Sequence, residues 1–160
     1  MIKMSFFNMF DAKDKKLLKK LLNDSRQPVT ELAKKCGMTR QSVHSRLKEL
    51  RRKGIKFTVD LDPSLLGLKL RAYILITAEP QAKFRRETDK IIKTFREISQ
   101  IHYLLGRFDI IVEVLVRDVD ELRDVLRRIQ NLPAVKKTET LMVYETTKFD
   151  PKDPIKKLLE

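Results

Sequence analysis

The sequence predicts an α+β protein in which an N-terminal three-helix helix-turn-helix domain precedes a C-terminal ferredoxin-like βαββαβ domain. In the N-terminal part apolar residues recur at helical spacing, and from Leu68 onward they alternate with other residues, as in strands. The charge is also uneven: residues 1–60 hold 16 Lys or Arg against 6 Asp or Glu, whereas residues 61–160 hold 19 against 16. The predicted boundaries are 1–54 for the helical domain, 55–67 for a linker, 68–150 for the ferredoxin-like domain and 151–160 for a tail.

The composition excludes several classes of protein. The 160 residues carry a net charge of +13 and are 42% hydrophobic, which is typical of a folded basic protein rather than a disordered polyelectrolyte. The single cysteine excludes an internal disulfide framework. One cysteine and two histidines in the whole sequence are also too few ligands for a structural zinc site. No apolar run approaches the ~20 residues that span a bilayer, and the N-terminus lacks the features of a signal peptide. We therefore expect a cytoplasmic protein without a membrane partner.

The first two helices are bounded by residues that start and stop helices. Asp11 and Asp14 place carboxylates at the N-terminus of the first helix, where unpaired N–H groups favour them. Its apolar face consists of Leu17, Leu18, Leu21 and Leu22. Pro28 prevents its continuation, and a second helix is predicted from about Val29 to Cys36. Gly37 ends that helix, since the chain needs a left-handed residue there.

The third helix, predicted from the N-cap Thr39 to about Lys53, is the one suited to DNA. Val43, Leu47 and Leu50 turn to the core, which leaves donor-rich side chains that can reach base edges on the other face. The candidate DNA-binding residues on this helix are Thr39, Arg40, Gln41, His44, Ser45 and Lys48, with Arg51, Arg52 and Lys53 for phosphates. A solvated helix face is the alternative, but the strongly basic first sixty residues favour double-stranded DNA as the partner.

Several stretches of this part resemble one family of regulators. Asp11 and Asp14, together with LLNDSRQP (21–28), ELAKKCGMT (31–39) and SVHSRLKELRRKGI (42–55), resemble the DNA-binding domain of the Lrp/AsnC family. These are the leucine-responsive and asparagine-responsive "feast/famine" transcription regulators of bacteria and archaea. The resemblance implies that Arg46 is the family's arginine in the recognition helix. Its role is either a phosphate contact or the bracing of the helix, and Arg46 is counted with the DNA-binding candidates.

Strands and helices alternate in the C-terminal part. Period-two alternation from Leu68 to Ala78 predicts the first strand, and Pro80 ends it before a helix. Two strands are predicted at 101–105 and 109–117, and a last one at 135–146. Between them, Asp118, with Glu121 three residues later, predicts the start of a second helix. The order βαββαβ places both helices on one face of the sheet.

The other face of this sheet predicts self-association. Tyr73 and Leu75 on the first strand, and Ile111 and Leu115 on the third, point away from the helices. A monomer would leave them as an apolar patch, so a second copy packed sheet to sheet is expected. The resemblance implies the same, because the regulatory (RAM) domain of the family has this fold and dimerises through it. The expected homo-oligomer is a dimer, or a tetramer or octamer built from dimers; a monomer with scattered surface apolar residues is the alternative.

The turn between the second and third strands has both a structural and a functional interpretation. Gly106 supplies a positive φ and Asp109 can bond nearby backbone, which suffices to explain both residues. The resemblance implies in addition an effector pocket at this turn, formed where dimers meet. Its candidate residues are Tyr103, Gly106 and Asp109, with Val119, Leu141 and Met142 as apolar neighbours. Backbone N–H groups and the Asp109 carboxylate match the carboxylate and ammonium groups of an amino-acid effector.

These observations predict a sequence-specific DNA-binding transcriptional regulator, modulated by a small molecule such as an amino acid. Catalytic motifs are missing from the sequence, and His44 and His102 fall in different domains, so neither an enzyme nor a cofactor is expected. His102 is interpreted as a half-buried strand residue. Two alternatives remain: a chromatin-like architectural DNA-binding protein, and the regulatory subunit of a metabolic enzyme.

Overall fold

In a computed structural model, residues 9–159 are described, apart from the side chains of residues 82 and 84. The chain folds into two compact units, one formed by the residues up to Asp60 together with those from Lys148 onward, the other by Leu61–Thr147. The first eight residues of the predicted helical domain 1–54 lie outside the described residues.

Three helices with a shared apolar core make up most of the first unit, as predicted. They are α1 (Ala12–Asn23), α2 (Val29–Cys36) and α3 (Arg40–Arg52). Gly37, with φ of 66°, ends α2 in the left-handed conformation that the turn requires. The buried core consists of Leu17, Leu18, Leu21, Leu32, Ala33, Cys36, Val43 and Leu50. Leu47, predicted to point inward, is half-buried against this core.

The first unit also contains the end of the chain. A short helix, α6 (Asp153–Leu158), follows Pro151, and Leu159 packs against the core of the three helices. The ammonium of Lys152 lies 2.6 Å from a carboxylate oxygen of Asp60. The predicted division left residues 151–160 as a separate tail. In the structure the segment from residue 148 is part of the first unit, because Leu159 packs against the apolar core of the three helices.

The second unit is a four-stranded antiparallel sheet with two helices. Its strands are β1 (Leu70–Ala78), β2 (Ile98–Tyr103), β3 (Ile110–Val116) and β4 (Val135–Met142), and its helices are α4 (Ala82–Ile92) and α5 (Val119–Gln130). The strands lie in the order β2-β3-β1-β4, which with the chain order βαββαβ confirms the ferredoxin-like fold. Before β1, the 3-10 turn Pro63–Leu66 is capped by Asp62, whose side chain accepts a hydrogen bond from the Ser64 N–H.

Two strand boundaries differ from the prediction. β2 begins at Ile98 rather than 101 and ends at Tyr103, which leaves Leu104 and Leu105 exposed in the turn. Ser99 and Gln100 hide the strand pattern in the sequence because neither is apolar. β4 ends at Met142 rather than 146. Beyond Met142, one backbone hydrogen bond still joins the Val143 N–H to the Arg71 carbonyl. The neighbouring strand β1 itself begins just before Arg71, at Leu70.

Both helices cover the same face of the sheet. Buried residues of β1 and β3 form one core with residues of α4, α5 and the segments that follow them. This core consists of Ala72, Ile74, Ile76, Ile92, Phe95, Ile110, Val112, Val114, Val116, Leu122, Val125, Ile129 and Leu132. On the opposite face, which we call the open face, Tyr73, Leu75, Ile111 and Leu115 are half-buried, as the alternation predicts.

Candidate nucleic-acid interface and effector site

The recognition helix α3 is positioned by a glycine turn and a side-chain cap. Gly37 reverses the chain after α2, and the Thr39 hydroxyl oxygen accepts a hydrogen bond from the Ser42 N–H at 3.1 Å. Val43 and Leu50, both fully buried, hold the inner face of α3 against the core. Thr39 therefore acts as the N-cap, and the first turn of α3 leads directly into the exposed side chains.

Four polar side chains form a single row on the outer face of α3. The row begins at Gln41 and continues three, four and seven residues later with His44, Ser45 and Lys48. All four side chains are exposed. Arg40 is exposed beside them at the N-terminal end of the helix. A row of this kind, offering both donors and acceptors, matches the dimensions and chemistry of a DNA major groove.

The C-terminal half of α3 carries two arginines, each of which contacts a neighbouring side chain. The Arg51 guanidinium lies over the Phe57 ring at 5.2 Å from its centroid, and Arg52 pairs with Glu49 at 2.7 Å. Both arginines are exposed, so the Arg52–Glu49 pair is a weak surface pair that a phosphate can replace.

Arg46 differs from the other basic residues of this helix. Its Nη1 atom lies 2.7 Å from Asp11 Oδ2 and 2.6 Å from Asp14 Oδ1. Hydrogen bonds to these two carboxylates raise the pKa of Arg46 above its ordinary value, and the pKa of Asp11 is lowered, first by the bond from the Asp14 N–H and then by Arg46. Of the two roles that the sequence leaves open for Arg46, these contacts favour bracing.

In the second unit, Asp109 builds the turn between β2 and β3. Its Oδ2 atom accepts a hydrogen bond from the Ala78 N–H at 2.8 Å, and its Oδ1 atom lies 3.2 Å from Arg85 Nη2. Gly106 has the positive φ that was predicted, at 159°. The Asp109 carboxylate therefore already has two partners, and an incoming ammonium group would have to share it with Arg85.

Tyr103 lies at the same end of the sheet but points toward α4. Its hydroxyl group donates a hydrogen bond to the Asp89 carboxylate. Burial of the hydroxyl group, followed by the hydrogen bond and the negative charge of Asp89, raises the pKa of Tyr103 to about 12. This side chain remains a neutral donor under all ordinary conditions.

The six effector candidates fall into two groups within one chain. The turn with Gly106 and Asp109 lies next to Ile110, which pairs with Ile76 of β1. Met142 pairs with Ala72 of β1 instead. Ala72 and Ile76 are four residues apart along the strand, a distance of roughly 13 Å. Leu141 precedes Met142, and Val119 follows the end of β3 on that same far side. Val119, Leu141 and Met142 are about half exposed. Within one chain, the two groups of candidates therefore lie at opposite ends of the sheet.

Two functional contacts were missed in the sequence. Glu113 is buried on the open face, where Arg71 lies 3.3 Å away, the Tyr73 hydroxyl donates a hydrogen bond at 3.2 Å, and the Ser99 hydroxyl donates another. The only signal was a single charged residue inside the apolar run of β3. The second missed contact is the pairing of Arg46 with Asp11 and Asp14, which are far from it in sequence.

Residues 9–159 contain no cluster of three or more His, Cys, Asp or Glu that could hold a metal ion. His102 is exposed and bonded to Gln100, rather than half-buried as predicted, because β2 lies at the edge of the sheet. No helix within the described part combines the length and the apolar character that a membrane crossing requires.

Comparison with known proteins gives matches along nearly the whole chain. Residues 10–51 match the AsnC-type helix-turn-helix domain, and residues 71–153 match the Lrp/AsnC ligand binding domain. The HTH-type transcriptional regulator FL11 of Pyrococcus horikoshii is 32% identical over 148 residues, which are 91% of this chain and 97% of that protein.

Two solved structures show the same architecture. AsnC of E. coli superposes with a TM-score of 0.81 at 27% identity, covering 89% of this chain and 97% of AsnC. A transcriptional regulator of Neisseria meningitidis, solved as a complex with L-Met, gives a TM-score of 0.82 at 21% identity and covers 91% of this chain and 99% of its own. The fold of both units therefore recurs in these proteins.

Proposed function

The chain belongs to the Lrp/AsnC family of DNA-binding transcriptional regulators, which are not enzymes, and from this premise we propose that it reads a specific DNA sequence through α3. The observation that carries the proposal is the exposed row of Gln41, His44, Ser45 and Lys48 opposite the buried face of the helix. These side chains contact base edges, while Arg40, Arg51 and Arg52 contact phosphates and Thr39 fixes the start of the helix. Acting on DNA, the regulator works in the cytoplasm.

Selection from a random DNA pool tests this proposal. The full-length protein is incubated with random duplexes, and the bound fraction is amplified over several rounds and sequenced. A reader of base edges enriches one motif, and a dimer enriches it as two related half-sites. Long bound fragments without an enriched motif would contradict sequence-specific reading and support architectural binding through charge.

We propose further that the regulator is a dimer formed through the open face. Tyr73, Leu75, Ile111 and Leu115 are half-buried on that face, and an apolar surface of this kind is stabilised by burial against a second copy. A tetramer or octamer requires a second contact between dimers. The exposed side chains of Leu104 and Leu105 in the turn before Gly106 are suited to that contact.

The effector that we propose is an amino acid bound between subunits. Two groups of candidate residues at opposite ends of the sheet support a shared pocket: Tyr103, Gly106 and Asp109 from one subunit, Val119, Leu141 and Met142 from another. The similar Neisseria protein was solved with L-Met, which makes an apolar amino acid the first candidate. In such a pocket the half-exposed Val119, Leu141 and Met142 would contact the apolar side chain of the ligand.

Calorimetric titration of the protein with each of the twenty common amino acids tests this part. Binding of one or a few of them is expected, with loss of binding in Asp109→Ala and Leu141→Asp and little change in the DNA affinity of the free protein. Lys16→Ala, an exposed residue of α1 in the first unit, is the control that retains binding. No heat with any of them, together with unchanged assembly, would contradict an amino-acid effector.

A further inference from the structure

The recognition helix is held at two points by one buried carboxylate. The Asp14 side chain is 8% exposed, and it accepts hydrogen bonds from Arg46 Nη1 at 2.6 Å and Lys53 Nζ at 3.3 Å. Arg46 lies in the middle of α3 and Lys53 caps its C-terminus, seven residues or two turns later. One residue of α1 therefore contacts α3 at two heights on the same side.

The two cations have further partners in the N-terminal segment of the same unit. Arg46 also contacts Asp11, the N-cap of α1, and Asp11 in turn accepts a hydrogen bond from the Asp14 N–H at 2.7 Å. Lys53 donates to the Met9 carbonyl at 2.7 Å, and its ammonium lies 5.2 Å from the centroid of the Phe10 ring. Lys53, predicted to contact phosphates, is thus held by α1 and the segment before it, unlike Arg51 and Arg52. All these partners come from the start of α1 and the residues just before it.

The position of this contact on α3 determines what it can control. The buried stripe of Val43 and Leu50 holds α3 against the core, but apolar contacts alone do not define the rotation of a helix about its axis well. Arg46 and Lys53 lie to one side of that stripe, between it and the exposed row that begins at Gln41. A directional contact at this place opposes rotation of the row in either sense.

We propose that Asp14, through Arg46 and Lys53, is a positioning residue that sets the rotation of the recognition helix, and that Arg46 is not a DNA contact. The inference rests on the proposed reading of DNA by α3. A brace and a phosphate contact differ in their salt dependence. Loss of a phosphate contact lowers affinity for all DNA alike and lowers the slope of log affinity against log salt by roughly 0.9. Loss of a brace lowers affinity for the specific site and leaves the slope unchanged.

The experiment measures affinity for the selected sequence and for random DNA across a range of salt concentrations. Arg46→Lys keeps the charge but cannot reach both carboxylates with one planar group. We expect its affinity for the selected site to fall roughly 5- to 100-fold, that for random DNA to fall less than about 3-fold, and the salt slope to stay the same. Arg52→Ala, an exposed arginine of the same helix, is the control that loses affinity for both DNAs alike, with a lower slope.

A double variant separates positioning from mere stability. Arg46→Met leaves the buried Asp14 carboxylate with Lys53 as its remaining cation, and Asp14→Asn removes the charge that Arg46 and Lys53 share. Each variant alone therefore destabilises the unit, whereas the combination removes the Arg46–Asp14 charge pair as a whole. We expect the double variant to regain much of the lost thermal stability without regaining discrimination between selected and random DNA. Recovery of discrimination together with stability would overturn the inference.

NMR of the Arg46 side chain in wild-type protein tests the inference even if the variants do not fold. In wild-type protein, the NMR resonances of the Arg46 side chain should stay unchanged when the selected DNA is added, because its partners stay the same. A large shift on DNA binding, or an Arg46→Lys variant with full discrimination, would contradict the brace. If wild-type protein itself selects no sequence, the proposed function fails instead.

Discussion

The exposed face of α3 and the open face of the sheet differ in ways that indicate different partners. The outer row of α3 consists of exposed polar or charged side chains. The open face consists of half-buried apolar side chains around Glu113, a carboxylate that is 7% exposed and already paired within its own chain. The first surface suits a hydrated polyanion such as DNA, and the second suits another protein surface.

The two faces also use buried carboxylates differently. Asp14 is paired with cations from another helix, so its charge orients an element of the same unit. Glu113 is paired with Arg71 and Tyr73 from the neighbouring strand β1, and burial together with the Glu113 charge raises the pKa of Tyr73. A charge satisfied in this way can lie within an apolar interface without an unpaired partner. Asp14 therefore orients the helix α3, whereas the partners of Glu113 allow its charge to be buried.

The largest effect is expected from a charge placed on the open face. Leu75→Glu or Leu115→Glu would bury an unpaired carboxylate between two subunits, and we expect the dimer to dissociate at micromolar concentration. Sedimentation velocity measures this directly. Gln81→Glu adds the same charge at the exposed N-terminus of α4 and should leave the dimer intact. Unchanged dimers of both leucine variants would place the interface elsewhere.

A smaller effect is expected when the charge pair of the open face is broken. Arg71→Met leaves the Glu113 carboxylate buried beside only neutral donors, and we expect a loss of about 2–4 kcal/mol in the free energy of unfolding. Combining it with Glu113→Leu should restore most of that loss, as denaturant titration can show. A double variant that is less stable than either single variant would contradict this account of Glu113.

The smallest effect concerns Tyr103 and the pH dependence of stability. Because the pKa of Tyr103 is raised to about 12 in the folded protein from 10.0, its contribution is present below pH 10 and is lost as the pH rises from 10 to 12. Ultraviolet titration of tyrosine should detect a group near pH 12 that is absent from the Tyr103→Phe variant. A group that titrates near pH 10 and is absent from the Tyr103→Phe variant would show that Asp89 does not hold this hydroxyl group.

Periodicity made most of the fold predictable, because burial requires apolar residues at a spacing set by the secondary structure. Val43 and Leu50 identified the inner face of α3, and the alternation in β1 and β3 identified both faces of the sheet. Gly37 marked the turn before α3 because few other residues adopt its left-handed conformation. The row of candidate DNA-binding residues followed from the buried face alone.

Contacts between residues far apart in sequence were not predictable. Arg46 pairs with carboxylates 32 and 35 positions earlier, and only the packing of α3 on α1 brings them together. The separation of the effector candidates depends on strand register, which places Met142 beside Ala72 and not near Gly106. The end of the chain joined the first unit through Leu159 and Lys152, whose partners lie in other segments.

The central claim is that the outer row of α3 reads base edges while the neighbouring arginines bind phosphate. Competition binding of Gln41→Ala and His44→Ala, each compared with Arg52→Ala, on selected and random DNA over a range of salt concentrations tests it most directly. We predict that the first two lose on the order of 1–3 kcal/mol on the selected site only, whereas Arg52→Ala weakens both and lowers the salt slope. Equal losses on selected and random DNA for Gln41→Ala and His44→Ala would contradict the claim.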